Sequence, residues 1–300
     1  MVPEGADTDA DGLLDLWEED TLAFDTTNPD SDGDGVFDGA EDEDGDHLSA
    51  RQEFLASALS SFPHDEPPRL DQRTLLVELD RMEGFSIDER SLQIARDAFA
   101  DSNIDIRFFA DECDVPFSLF DGSFEQRQAT FAAHQAREIP NELAPSLIHV
   151  VFAARRFDEP FRPGEAISDG MNDPTRSGVF IYLEPIIEAN PRCATADAPA
   201  IQVFEAVGGA LTHELGHTLQ LGHDTVVNGG INFYNVMAQT SSCEQAQKRH
   251  RGLGNQDPAL GSTEAVGRPR FSAAATALMD FDARLSVDTG QLTGGSGREM

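Results

Sequence analysis

The residues with the most evident chemistry lie in one run, Thr212-His213-Glu214-Leu215-Gly216-His217-Thr218-Leu219-Gln220-Leu221-Gly222-His223-Asp224. His213 and His217 are four residues apart. On a helix that spacing sets them about 40° apart on one face and about 6 Å apart along the axis. Two imidazoles so placed can hold one zinc ion between them. Glu214 sits beside the pair, where its carboxylate can reach a water on the metal. His223 is the natural third ligand, yet a straight helix would carry it about 15 Å beyond His213 and onto another face. The chain must therefore bend back after about Leu219, a reversal that usually calls for glycine.

A second set of ligand types opens the chain. Asp7, Asp9, Asp11, Gly12, Asp15 and Glu18 fill positions 1, 3, 5, 6, 9 and 12 of a loop, and Asp30, Asp32, Asp34, Gly35, Asp38 and Glu41 fill them again. Asp42, Asp44, Asp46 and Glu53 give positions 1, 3, 5 and 12 of a third loop, with His47 where glycine is preferred. Calcium wants six to eight hard oxygens, which alternate carboxylates and a distal Glu can supply around a sharp turn. Without metal such a cluster repels itself, so its fold is expected to depend on the ion.

The elements that must carry these groups can be read from periodicity. Thr74–Leu79, Ile104–Phe109, Leu147–Phe152 and Val179–Leu183 read as strands. Ser86-Ile-Asp-Glu89 reads as a capping box that opens a helix running to about Ala100. From about Ala200 the period becomes helical, with Val203, Val207, Leu211, Leu215 and Leu219 recurring every four residues on one stripe. Mixed strands and helices with a late central helix imply an α+β or mixed α/β architecture. The Pro-marked stretch Phe62-Pro63-His64-Asp65-Glu66-Pro67-Pro68 reads as a semi-rigid linker. Residues 1–60 are then an acidic calcium-loop segment, 61–69 a linker, 70–287 the main domain and 288–300 a Gly-rich tail.

Charge narrows the partners. The 300 residues hold 55 acids against 21 bases, a formal charge of −34. Residues 1–53 hold 19 of the acids and a single base, Arg51. Such a balance argues against nucleic acid and anionic membranes, both of which need basic patches. No apolar run is long enough to span a bilayer. The opening Met1-Val2-Pro3-Glu4 has no signal-peptide character, and an extracellular or cell-surface location is expected from the calcium loops alone. Lys248 is the only lysine. A carboxylate-rich, lysine-poor surface is that of a protein that prefers high salt, where its self-repulsion is screened. Cys193 and Cys243 flank the metal helix and are the candidate disulfide, which would leave Cys113 free. His149, in an apolar strand, reads as a satisfied core histidine, and His47, His64, His134 and His250 as surface residues.

His213 through His223 resembles the signature of the metzincin clan of zinc peptidases, H-E-x-x-H-x-x-G-x-x-H followed by a Met-turn. Asn235-Val236-Met237-Ala238 supplies the Met-turn candidate. The family's turn glycine falls on Gln220: either Gln220 takes a left-handed conformation at roughly 1–2 kcal/mol, or the turn shifts toward Gly222 and Asp224 becomes an alternative oxygen ligand. The resemblance implies a mixed sheet with an active-site helix and a smaller C-terminal subdomain that includes a helix near Ser272–Phe281. It implies zinc on His213, His217 and His223, Glu214 as general base, Met237 as a floor beneath the ligands, and a peptide or protein substrate. The substrate would pair with an edge strand, expected near Val179–Leu183, while Tyr234 is a further candidate near the metal. Residues 7–53, with Asn28-Pro-Asp-Ser-Asp-Gly-Asp-Gly35, resemble thrombospondin type 3 calcium repeats. That resemblance implies a calcium-filled, rod-like spacer with little conventional core. The leading expectation is thus a zinc endopeptidase carrying a calcium-binding segment. Two alternatives stay open: an inactive peptidase fold acting as a calcium-binding surface or adhesion protein, and a zinc hydrolase whose last ligand is a glutamate such as Glu244.

Overall fold

A computed structural model describes residues 5–21, 24–57, 70–110, 115–120, 123–134, 139, 141–160, 162–167, 178–192, 202–221, 237, 271, 273–279 and 281. Its centre is a five-stranded sheet built from β1 (Thr74–Arg81), β2 (Asp105–Phe109), β3 (Leu147–Ala153), β4 (Gly164–Ile167) and β5 (Gly178–Tyr182). The strand order is β2-β1-β3-β5-β4. Strands β1, β2, β3 and β5 run parallel, and β4 is antiparallel to β5 at one edge. The central strands are nearly continuous apolar runs because helices cover both faces of a parallel sheet.

One face presents Leu75, Val77 and Leu79 of β1, Ile106 and Phe108 of β2, Val150 and Phe152 of β3 and Ile181 of β5. They pack against α3 (Glu89–Ala100) and α6 (Val203–Thr218) through Leu92, Phe99, Val207, Leu211 and Leu215. The opposite face alternates as a pleat requires. It carries Met82, Val151, Ala153, Phe180 and Tyr182, which meet Phe131 of α4 (Phe124–Ala133). Helix α5 (Leu183–Arg192) follows β5 directly. The described part of the C-terminal region is Phe271, the short helix α7 (Ala273–Thr276), residues 277–279 and Phe281. Phe271, Ala275, Met279 and Phe281 join the core beneath α6.

Several expectations are corrected. Helix α3 starts later than the capping box at Ser86 would place it. Its N-cap is Asp88, in extended conformation, whose carboxylate accepts from the Arg90 N–H. Val179–Leu183 is not an edge: β5 lies between β3 and β4, and among the described strands the outermost one on that side is the four-residue β4. That strand is too short and too mixed, Gly-Glu-Ala-Ile, to show an alternation in sequence. The acidic segment is also not a coreless rod along its whole length. Helix α2 (Ala50–Ser57) and Leu48 bring Leu48, Leu55 and Ala56 into one cluster with Leu76, Phe109 and Leu143 of the main domain. Leu13, and Trp17 of helix α1 (Asp15–Thr21), pack with Ala50. Residues 58–69, which carry the Pro-rich linker, and the tail 288–300 lie outside the described residues.

Candidate functional site

Helix α6 is apolar on every side and buried from Ala206 to Gly216, which is unusual for a helix bearing charged groups. Its last turns carry His213 (1% exposed), Glu214 (4% exposed) and the partly buried His217. The two imidazole Nε2 atoms lie 3.2 Å apart, with the rings nearly perpendicular. His217 Nδ1 is 2.7 Å from the Leu221 carbonyl. A carbonyl only accepts, so Nδ1 carries the proton and Nε2 keeps its lone pair. Tetrahedral zinc with Zn–N bonds of about 2.0–2.1 Å sets two nitrogens about 3.4 Å apart. The observed pair fits that ion without rearrangement, and its donor set is one zinc prefers.

The helix ends in a tight reversal of the chain. Gln220 adopts the left-handed conformation, with φ +62°. The Leu221 N–H reaches the Gly216 carbonyl at 3.2 Å, and the Gln220 N–H reaches the His217 carbonyl at 3.1 Å. This double bond pattern is a Schellman reversal, normally closed by glycine. The turn therefore falls on Gln220 itself, and the same reversal delivers the Leu221 carbonyl to His217. His223, the alternative ligands Asp224 and Glu244, Tyr234, and the cysteines Cys113, Cys193 and Cys243 lie outside the described residues.

Two close approaches frame the site. A Cβ at Gly216, between the histidines, would lie 2.4 Å from the Met237 Sδ and 3.0 Å from the Phe271 ring. Met237 is fully buried there, so the absence of a side chain at 216 lets the methionine press against the helix backbone. At the sheet edge, a Cβ at Gly164 would come within 2.9 Å of Glu214 Cγ and 3.1 Å of its Oε1. Strand β4 thus runs alongside the glutamate. Its next residue, Glu165, points to the far face. There Arg156 Nη1 donates to it at 2.9 Å, Tyr182 Oη donates to it, and Arg127 pairs with it at 3.2 Å. This buried clasp holds the edge strand in place. It escapes sequence reading because its members are scattered over four elements.

On the same far face Glu78, Asp80 and His149 come together, all buried, with His149 Nε2 2.6 Å from Asp80 Oδ2. His149 is satisfied in the core by this contact.

The three acidic loops share one backbone. Positions 4 and 6 are left-handed in each: Ala10 and Gly12, Gly33 and Gly35, Gly45 and His47. In each, the position 4 N–H donates to the position 1 carboxylate, at 2.7–2.9 Å (Asp7, Asp30, Asp42). The position 7 N–H donates to position 5 at 2.7–2.8 Å (Asp11, Asp34, Asp46). Their first carboxylates converge as Asp7/Asp9/Asp11, Asp30/Asp32/Asp34 and Asp42/Asp44/Asp46. A fourth group crosses loops, since Asp38 of the second joins Asp11 and Glu18 of the first. Asp15 and Asp38, at position 9, also hold their own loops by accepting from Thr8 and Ser31.

Crowding of like charge is severe. Burial, then Asp11 and Asp9, pushes Glu18 up to about 7. Burial, then Glu43, takes Glu41 to about 7, and burial with Asp46 and Asp42 takes Asp44 to about 7. Glu53 rises to about 9 through burial and the charges of Asp46 and Asp44, opposed by Arg107.

No family model matches the chain, and no curated protein matches it. Among solved structures it is similar to archaemetzincin from Methanopyrus kandleri, with 16% identity and TM-score 0.44 over 73% of this chain and 98% of that one. It is similar to a zinc-dependent peptidase from Methanocorpusculum labreanum, with 11% identity and TM-score 0.40 over 68% of this chain and all of that one. It is also similar to metalloproteinase-II from Bacteroides fragilis, with 13% identity and TM-score 0.43 over 70% of this chain. The chain spans about half (53%) of that last structure.

Proposed function

We propose that the chain is a zinc-dependent peptidase in which His213 and His217, with His223 as third ligand, hold the metal and Glu214 moves the proton. The observation that carries this reading is the convergence of the two Nε2 atoms at 3.2 Å, with Glu214 next in sequence and pressed against the edge strand. When bound, zinc supplies a Lewis acid that acidifies water and polarises a carbonyl. Glu214, 4% exposed, takes the proton of the attacking water as general base and returns it to the leaving amine. Strand β4, outermost on its side among the described strands, offers a substrate strand its edge by β-augmentation, and its Gly164 brings that edge against the glutamate. Leu221 fixes the His217 tautomer, and Met237 supports the helix from below. Replacing Glu214 with Ala should leave zinc content unchanged and remove hydrolysis of an unstructured protein substrate. Turnover at the parental rate in that variant would contradict the assignment.

We propose further that the acidic segment binds calcium, on the support of three loops with one repeated backbone and convergent carboxylates. Its ligands are Asp7, Asp9, Asp11 and Glu18; Asp30, Asp32, Asp34 and Glu41; and Asp42, Asp44, Asp46 and Glu53, with Asp38 shared between the first two loops. Abundant free calcium outside cells suits an extracellular or surface setting for such loops.

A further inference from the structure

We propose that the third acidic loop is a cation-operated lock on the sheet: one divalent cation held by Asp42, Asp44, Asp46 and Glu53 governs whether the start of strand β1 is fastened. The proposal rests on the calcium reading above and assigns one of the three loops a task the others do not have.

Loops one and two bind each other. The Gly39 N–H donates to Asp11 at 3.2 Å, and Asp38 groups with Asp11 and Glu18. Loop three instead is built into the main domain. Asp46 is fully buried. Its Oδ1 accepts from the Leu48 N–H at 2.7 Å, and its Oδ2 accepts from the N–H of Thr74, the first residue of β1. The Asp44 carbonyl accepts from Arg73 Nε at 3.2 Å. Thr74 is in turn paired with Asp105 at the start of β2, and Asp105 holds Arg107 at 2.8 Å. The loop therefore sits at the entry of β1, whose first residue is paired with the first residue of β2.

The observation that points to a ligand is Glu53. It is 3% exposed, lies on α2 next to the loop carboxylates, and its Oε1 has no hydrogen-bond partner. A carboxylate oxygen taken out of water needs a proton or a cation. Asp44 Oδ2 is likewise buried and without a hydrogen-bond partner. Asp44 converges with Asp42 and Asp46, and Glu53, close enough to feel the charges of Asp46 and Asp44, stands at the closing position of a calcium loop of that composition. With the ion in place the four carboxylates are drawn together and Asp46 is held where Thr74 needs it. Without it they repel, and the acceptor for the first amide of β1 is no longer held. That strand lies between β2 and β3, so the effect enters the sheet at an inner strand.

The test is amide hydrogen exchange on the full chain at fixed ionic strength, with calcium chloride or chelator, beside calorimetric titration of calcium. Calcium at about ten times its Kd should slow exchange at Thr74–Val77 by about tenfold, the factor that binding to the closed form alone supplies. Glu53→Gln and Asp44→Asn, which keep shape and remove charge, should lose that response, whereas Asp32→Asn in loop two should keep it. In chelator Glu53→Gln should exchange no faster than the parent, which distinguishes a lost ligand from a damaged core. Calcium uptake with no change at Thr74–Val77, or an equal response in Glu53→Gln and Asp32→Asn, would overturn the lock and leave the calcium reading standing. No calcium uptake by the full chain would overturn both.

Discussion

At the scale of single residues, the site depends on what is missing as much as on what is present. Gly164 leaves room for Glu214, and Gly216 leaves room for Met237. Gly164→Ala should drive the Glu214 side chain off its position. We expect at least about a tenfold loss in kcat, since small misplacements of a catalytic group are costly, with zinc content unchanged by elemental analysis. Gln220 tells the opposite story. It holds a left-handed turn at a cost of roughly 1–2 kcal/mol, and glycine there would return about 0.5–1 kcal/mol of that in backbone entropy. Gln220→Gly should therefore raise stability by a few tenths to about 1 kcal/mol, read as a higher Tm, with zinc retained. A lower Tm would show that the glutamine side chain supports the turn in some other way. Both histidines and the glutamate were legible in sequence because a four-residue spacing on an apolar helix has one geometric meaning. The Glu165 clasp with Arg127, Arg156 and Tyr182 was not, because four residues from β4, β5, α4 and a loop leave no local pattern.

At the scale of elements, the strands at 74, 105, 147 and 178 and the helices at 89 and 203 were readable from periodicity, since buried parallel strands and a helix stripe each impose one. The edge strand was not, because four residues with a charge among them carry no period. The docking of α2 was not, because the resemblance to an extended spacer pointed elsewhere, while Leu48, Leu55 and Ala56 needed a partner surface that only the folded sheet provides. Leu55→Ala should cost about 2–5 kcal/mol, as a fully buried leucine does. The acidic loops make a pH prediction with a definite sign. Glu18, Glu41 and Asp44 are raised to about 7 and Glu53 to about 9, all above their unfolded values. Their contribution to metal-free stability is therefore fully present below the ordinary carboxylate range. It is lost as pH rises through about 7 and then about 9. In chelator the Tm should fall between pH 5 and 9, and calcium should flatten the slope. A metal-free Tm that rises over that interval would contradict the burial of these groups.

At the scale of the whole molecule, a charge of −34 with one lysine sets the conditions in which the chain is stable. Self-repulsion of that size is screened as the Debye length shrinks, so stability should rise between roughly 0.05 M and 3 M salt, and chiefly in chelator. No helix among the described residues is long and apolar enough to cross a membrane. The sheet, the metal helix and the docked acidic segment form one arrangement in which each charged cluster has its own place. The histidine pair lies at the end of α6, and the third carboxylate loop lies at the start of β1. The central claim is that His213 and His217 share a zinc ion, and X-ray absorption at the zinc edge of purified protein tests it most directly. The account predicts about one zinc per chain with nitrogen neighbours at about 2.0–2.1 Å, lost in His213→Ala. A protein that holds no zinc, or holds it with the same nitrogen shell after that substitution, would contradict it.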